Sequence, residues 1–269
     1  MSRGQGGKLG AIQSYYPDEY AFTLKNGLII VGSDFHIWPG EESTCLRAFK
    51  FLCKELKPSA VVLNGDVLDF PQISRHPPMG WEKIPSPQEE IEAAQYHLHN
   101  IEQAAPKGCR KVWTLGNHDF RFEQRLATIA REYKGIKGIH LSDHFNPCWQ
   151  KAWGLRINDN IVCKHRYKGG VHAPYNNALH SGVNMITGHL HSQKVMCHSD
   201  YNGTRYGVDT GCVAEINHKA FKDYTETNPL NWISGFSVLK IRDNRLMYPE
   251  LVSKWSDTHV QFRGELIKV

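Results

Sequence analysis

The sequence has no run approaching the ~20 consecutive apolar residues that a membrane span requires, which excludes a helical membrane protein and leaves no membrane partner to expect. The stretch from Met1 to Lys8 is basic and glycine-rich but is followed by no apolar h-region, so residues 1–10 read as a flexible lead and not as a secretory signal. There is no C-x-x-C pair, and the cysteines number seven, an odd and scattered set. That speaks against a disulfide framework and for buried thiols in a reducing, cytoplasmic setting. Without secretion, the sequon-like Asn202-Gly203-Thr204 reads as a turn. No internal repeat or interdomain linker stands out, and 23 glycines and 13 prolines are ordinary usage, so a collagen-like or low-complexity chain is excluded. Nor is there a basic run of nuclear-localisation type: 32 Lys and Arg against 27 Asp and Glu leave +5, with both signs interspersed.

What is present is a 269-residue chain with enough apolar residues for a large core and an unusual fifteen histidines. Residues 11–269 read as a single domain. In the first half, Leu28 to Val31, Ala60 to Leu63 and Lys111 to Leu115 are short apolar runs, each closing on a glycine-containing turn, which predicts buried strands of an α/β sheet. Between them, Cys45, Leu46, Phe49, Leu52, Cys53 and Leu56 repeat at helical spacing within Glu41–Leu56. Ser86, Pro87 and Glu89 form a capping-box start for a helix with Ile91, Ala94, Leu98 and Ile101 on one face. A third helix is expected from Phe120 to Tyr133, with Phe122, Leu126, Ile129 and Tyr133 facing the core. The second half is rich in hairpin signals, at Asn158-Asp159-Asn160, Asn202-Gly203 and Asp243-Asn244. Together these predict two facing sheets with helices on the outer faces.

Five polar clusters stand at the ends of the strand patterns, where α/β sheets place ligands. They are Asp34-Phe35-His36, Gly65-Asp66-Val67-Leu68-Asp69, Gly116-Asn117-His118-Asp119, His165, and Gly188-His189-Leu190-His191. On an extended chain, the single spacer in the first and last would point both polar residues to one face, so that Asp34 with His36, and His189 with His191, each clasp one centre. The glycines before Asp66, Asn117 and His189 allow close backbone approach. Oxygen and imidazole donors without thiolate suit Mn, Fe, Zn or Ni, and carboxylates, a carboxamide and four imidazoles exceed one tetrahedral ion's needs. Two divalent ions with a shared carboxylate are expected.

In this order, D-x-H, G-D-x-x-D, G-N-H-D, an isolated His and G-H-x-H resemble the calcineurin-like metallophosphoesterase superfamily, over residues 34 to 191. The resemblance implies a four-layer α/β/β/α sandwich of two facing mixed sheets with a dinuclear metal site at the strand ends. It implies that Asp34, His36 and His191 bind one ion, that Asn117, His165 and His189 bind the other, and that Asp66 bridges them. Manganese comes first among the candidate metals, with Fe, Zn or Ni as alternatives. The implied chemistry is hydrolysis of a phosphomonoester or phosphodiester by a hydroxide held between the ions, with His118 as general acid and Asp69 orienting it.

Phe70 and Asp119 replace the Arg and Glu that protein Ser/Thr phosphatases of this superfamily carry, which sets that branch aside. A nuclease acting on DNA or RNA is one alternative, and a non-catalytic scaffold with the same fold another. A metal-dependent amidohydrolase would leave Asn117 unexplained. The substrate expected is a phosphate ester, a nucleotide or nucleic acid among the options. Arg121 is a candidate phosphate contact, and Arg125 a weaker one. Asp119 is expected to cap the following helix. Tyr167 to Gly170 reads as a turn. The proline-rich stretch from Phe70 to Pro87 is a candidate specificity loop, with Arg75, His76 and Trp81 as contacts. His172 and His180 remain unassigned.

Overall fold

A computed structural model describes residues 15–75, 81, 83–217, 221, 228 and 230–269. The 1–10 lead, His76 and part of the 70–87 stretch lie outside the described residues. Along the chain run β1 (Tyr20–Phe22), β2 (Gly27–Gly32), α1 (Thr44–Leu56), β3 (Ala60–Asn64), α2 (Pro87–Ala104), β4 (Arg110–Thr114), α3 (Phe120–Ile129) and β5 (Trp149–Ala152). There follow β6 (Leu155–Ile157), β7 (Ile161–Cys163), α4 (Ala173–Ser181), β8 (Asn184–Thr187), β9 (Lys194–Asp200) and β10 (Gly203–Asp209). The chain closes with β11 (Gly235–Arg242), β12 (Arg245–Leu246), β13 (Glu250–Ser256), β14 (His259–Phe262) and β15 (Glu265–Lys268).

Among the described residues the strands form two mixed sheets, one of nine strands in the order β15-β14-β13-β11-β2-β3-β4-β5 with β12 on β11, and one of six in the order β1-β6-β7-β8-β10-β9. β2, β3, β4 and β5 are parallel neighbours, the arrangement that crossover helices impose. Period-two side-chain alternation explains why these strands are apolar throughout. Ile29 and Val31 of β2, and Ala60 and Val62 of β3, face an inter-sheet core with Leu155, Ile157, Ile161, Ile186 and Val208. The intervening Ile30, Val61 and Leu63 face a second core with Leu46, Phe49 and Leu52 of α1 and Ile91, Leu98 and Ile101 of α2. α4 packs on β8, β9 and β10 of the smaller sheet. The result is the expected α/β/β/α layering.

The helix signals translate locally. Ser43 caps α1, its hydroxyl accepting from Leu46 N–H at 3.0 Å, so the helix starts three residues after Glu41. Ser86 and Glu89 make the reciprocal capping box of α2. The third helix departs from expectation. It stops at Ile129, a 3₁₀ turn covers Arg131–Tyr133, and no residue of α3 is fully buried. Ile129 is 61% exposed and Tyr133 50%, because only Phe122 reaches the core, so this stripe is not core packing. Among the described residues no helix is long and apolar enough to cross a membrane.

Candidate metal centre

All five clusters follow strands: β2 leads to Asp34 and His36, β3 to Asp66 and Asp69, β4 to Asn117 and His118, β7 to His165, and β8 to His189 and His191. The backbone there is not extended as expected. Asp34 (φ 55°), His36 (37°), Asp66 (51°), His189 (71°) and His191 (56°) all lie in the left-handed region. Each such non-glycine residue costs on the order of 1–3 kcal/mol and persists only where surrounding structure holds it. Here the loops after β2 and β3 continue to hydrogen-bond beyond the strands, with Asp34 N–H donating to Gly65 O (2.9 Å), His36 N–H to Asp66 O (3.1 Å) and Ile37 N–H to Val67 O (3.0 Å). Two glycines make room. A Cβ on Gly116 would sit 2.1 Å from Asp66 Oδ1, and one on Gly188 would sit 2.3 Å from Ser33 Oγ and 2.6 Å from Asp34 Oδ2.

The turned backbone gathers the side chains into three groups whose donor atoms lie within 4.8 Å of one another: Asp34, His36 and His191; Asp66, His165 and His189; and His36, Asp69 and His118. His189 and His191 therefore point into different groups, against the reading in which the pair clasps one centre. The first two groups adjoin, His165 Nε2 lying 3.0 Å from Asp66 Oδ2 and 4.0 Å from Asp34 Oδ1. His36 Nε2, Asn117 Oδ1 and His191 Nδ1 are buried and hydrogen-bond to nothing, and His165 Nε2 meets only the Asp66 carboxylate. Buried polar atoms left unsatisfied are costly; others occur elsewhere among the described residues, Glu90 Oε1 and His97 Nδ1 among them, but those of His36, Asn117 and His191 belong to residues with metal-ligand chemistry. The donor set fits a divalent cation, all nitrogen and oxygen with no thiolate.

The electrostatics point the same way. Burial alone would raise Asp34, yet His191 and His165 outweigh it and hold the carboxyl well below the usual range. Asp66, likewise penalised by burial, is held down by His165 and His118. Burial lowers His165, but Asp66 and Asp34 more than reverse this and push the imidazole up to about 10. Buried carboxylates that draw protons onto a buried imidazole form a sink for positive charge, which a divalent ion fills more effectively.

Beside this sink, His118 Nδ1 lies 2.7 Å from Asp69 Oδ1 and 3.1 Å from Asp69 O. Both partners accept, so Nδ1 carries a proton. Burial disfavours the imidazolium, but Asp66 and the Asp69 hydrogen bond outweigh it and raise His118. Asp69 Oδ1 also accepts from His36 Nδ1 at 3.1 Å. The peptide groups flanking Asp69 are themselves pinned: Glu90 Oε2 accepts its N–H (3.0 Å) and that of Phe70 (2.8 Å), and Arg121 donates to its carbonyl at 2.7 Å. Arg121 thus buttresses Asp69 and comes within 3.3 Å of His118 Nε2.

Asp119 does not cap α3; its side chain makes no cap hydrogen bond. Its buried carboxylate instead accepts from the N–H groups of Asp66 (2.9 Å), Val67 (2.9 Å), Leu68 (3.2 Å) and Gly116 (2.9 Å) and from Trp113 Nε1 (3.0 Å). It ties the loop after β3 to the loop after β4. Asp209 does the same for the last cluster, accepting from Ser192 N–H (3.2 Å) and Oγ–H (2.9 Å) directly after His191. Glu90 carries no local sequence signal, because its targets are backbone N–H groups far along the chain, and the turn bond Asp209 accepts from Gly211 N–H at 3.0 Å does not mark its reach to Ser192. Among the remaining candidates, Trp81, Arg125, Tyr167, His172 and His180 are exposed, and Lys168 N–H donates to Asn177 Oδ1 at 2.9 Å.

Residues 27–193 match the family described as calcineurin-like phosphoesterase. The gene 54 protein of Mycobacterium phage D29 is 26% identical over 248 residues, covering 83% of this chain and 92% of the phage protein. The gene 54 protein of Mycobacterium phage L5 is 27% identical over 247 residues with the same coverage, 83% and 92%. Among solved structures, zinc-complexed Vps29 from Entamoeba histolytica aligns over 90% of this chain and 98% of its own, at 14% identity and a TM-score of 0.47. Vps29 from Chaetomium thermophilum aligns over 90% and 96%, at 13% identity and 0.44.

Proposed function

The chain belongs to the calcineurin-like phosphoesterase family, and from that premise we propose that it is a metal-dependent hydrolase of phosphomonoesters or phosphodiesters. The observation that carries this reading is the gathering of His36, His165, His189 and His191 around the buried carboxylates of Asp34 and Asp66, with buried atoms of His36, His191 and Asn117 left without a hydrogen-bond partner. Asp34, His36 and His191 would hold one divalent ion, Asn117, His165 and His189 a second, and Asp66 would be shared. Manganese, iron, zinc or nickel suits these donors. When bound, such ions supply Lewis acidity toward the phosphate oxygens and lower the pKa of water. A non-catalytic scaffold has no need of this complete set of strained, desolvated donors.

The protein's own groups supply the proton. Asp69 fixes the His118 ring through Nδ1, and Nε2 lies 3.9 Å from Asp66 Oδ2 and 3.3 Å from an Arg121 guanidinium nitrogen. Against the cost of burial, the Asp66 charge and the Asp69 hydrogen bond favour the protonated ring, the form in which Nε2 would protonate an alkoxide leaving group as the ester bond breaks. His118→Ala is expected to retain metal and fold while losing about 10²–10⁴ in turnover of an alkyl phosphate ester, a range typical of a positioned acid. With a p-nitrophenyl ester, whose leaving group needs no proton, the loss should be under about tenfold. Equal losses with both substrates would overturn the general-acid role.

A further inference from the structure

The segment that leaves the centre along α3 carries an excess of positive charge. Residues 121–137 hold five basic side chains, Arg121, Arg125, Arg131, Lys134 and Lys137, against two acidic ones, Glu123 and Glu132. The rest of the chain holds 27 basic and 25 acidic residues, so three of the five net positive charges sit here. Glu123 is turned inward, accepting from Tyr16 Oη–H (2.8 Å) and Leu141 N–H (2.9 Å) and lying 3.0 Å from His140 Nδ1, so it does little to neutralise the outer face. Arg121 alone of the five basic groups pairs with a carboxylate among the described residues, 3.9 Å from Asp69. Arg125, Arg131, Lys134 and Lys137 are exposed. Ile129, Tyr133 and Ile136 stand exposed between them.

The patch is continuous with the centre, because Arg121 touches both Asp69 and His118. From there α3 runs for about 14 Å, at ~1.5 Å per residue. An occupant must offer repeated negative charge, flat apolar surface for Tyr133, and a phosphate ester at its inner end. A nucleic-acid strand with unstacked bases has all three. We propose that residues 121–137 form a docking surface for single-stranded nucleic acid, with one backbone phosphate placed in the centre. The phosphate placed in the centre and the cleavage that would follow rest on the phosphoesterase reading above; the charge-dependent binding to residues 121–137 does not.

The test is fluorescence anisotropy of a labelled single-stranded phosphorothioate 15-mer, which resists cleavage, with the metal-loaded full chain over a salt series. The variant R125A/R131A/K134A/K137A changes only exposed side chains outside the centre. The control K25A/K240A/R242A/R245A removes as many charges at the far end of the larger sheet, where Ile241 pairs with Gly27 at the start of β2. Wild-type affinity should fall with salt, and the α3 variant should bind at least about tenfold more weakly with a slope shallower by about 3, from ~0.7 per phosphate contact. The control should bind like wild type, and both variants should hydrolyse bis(p-nitrophenyl) phosphate within twofold of it. Absent oligonucleotide binding at low salt, equal weakening by the two variants, or binding to anionic lipid vesicles in preference to the oligonucleotide would overturn the proposal. Loss of aryl ester hydrolysis in the wild type would instead count against the phosphoesterase reading.

Discussion

Asp119→Ala is expected to destabilise the protein by on the order of 5 kcal/mol, a large part of the total stability of a domain. The substitution strips the acceptor from four backbone N–H groups and the Trp113 indole at once, all in a buried setting where each unsatisfied donor costs about 1–3 kcal/mol before water enters the gap. Asp119→Asn should be milder yet still harmful. One carboxylate oxygen serves Val67 and Leu68 and the other serves Asp66, Gly116 and Trp113, so an amide nitrogen at either position faces donors. Urea unfolding should show the midpoint of both variants falling at unchanged slope. A cost for alanine below about 1 kcal/mol would mean that the two loops are held by something else.

The second large effect is expected at Asp66. Asp66→Asn keeps an oxygen for the His118 N–H that Asp66 Oδ1 accepts at 2.8 Å, so the loop geometry should survive. It removes the charge that opposes His165 and His118 and that any cation in the second group would meet. Turnover should fall by about 10³ or more, the equivalent of ~4 kcal/mol of transition-state stabilisation, while thermal unfolding of the metal-free protein shifts little. Activity within tenfold of wild type would remove Asp66 from the centre.

Much of this architecture was legible in the sequence for identifiable reasons. β2, β3 and β4 have cores on both faces, so their apolar runs are uninterrupted, and α1 and α2 carry stripes and caps that obey local rules. Local rules failed where long-range contacts decide. The α3 stripe has helical spacing, but nothing lies over Ile129 and Tyr133 to bury them. Asp119 stands where an N-cap belongs, yet three distant backbone donors after β3, with Gly116 and Trp113 just before it, claim its carboxylate. The single spacer of D-x-H and H-x-H suggested extended chain, whereas left-handed turns at Asp34, His36, His189 and His191 deliver the side chains and send His189 and His191 to different groups. Glu90 and the reach of Asp209 to Ser192 had no signal, since nothing nearby in sequence marks an acceptor for a distant backbone N–H.

The site also changes how the mild +5 charge reads, because Asp34, Asp66 and Asp69 concentrate negative charge where the proposed anionic substrate would arrive. Cations held there would make phosphate binding favourable. The most direct measurement is therefore hydrolysis of bis(p-nitrophenyl) phosphate and p-nitrophenyl phosphate by protein stripped of metal and then titrated with Mn, Ni, Zn or Fe. Turnover of at least one ester should be absent without metal and restored by at least one of these ions. No hydrolysis of either ester with any of the four would contradict a phosphoesterase centre.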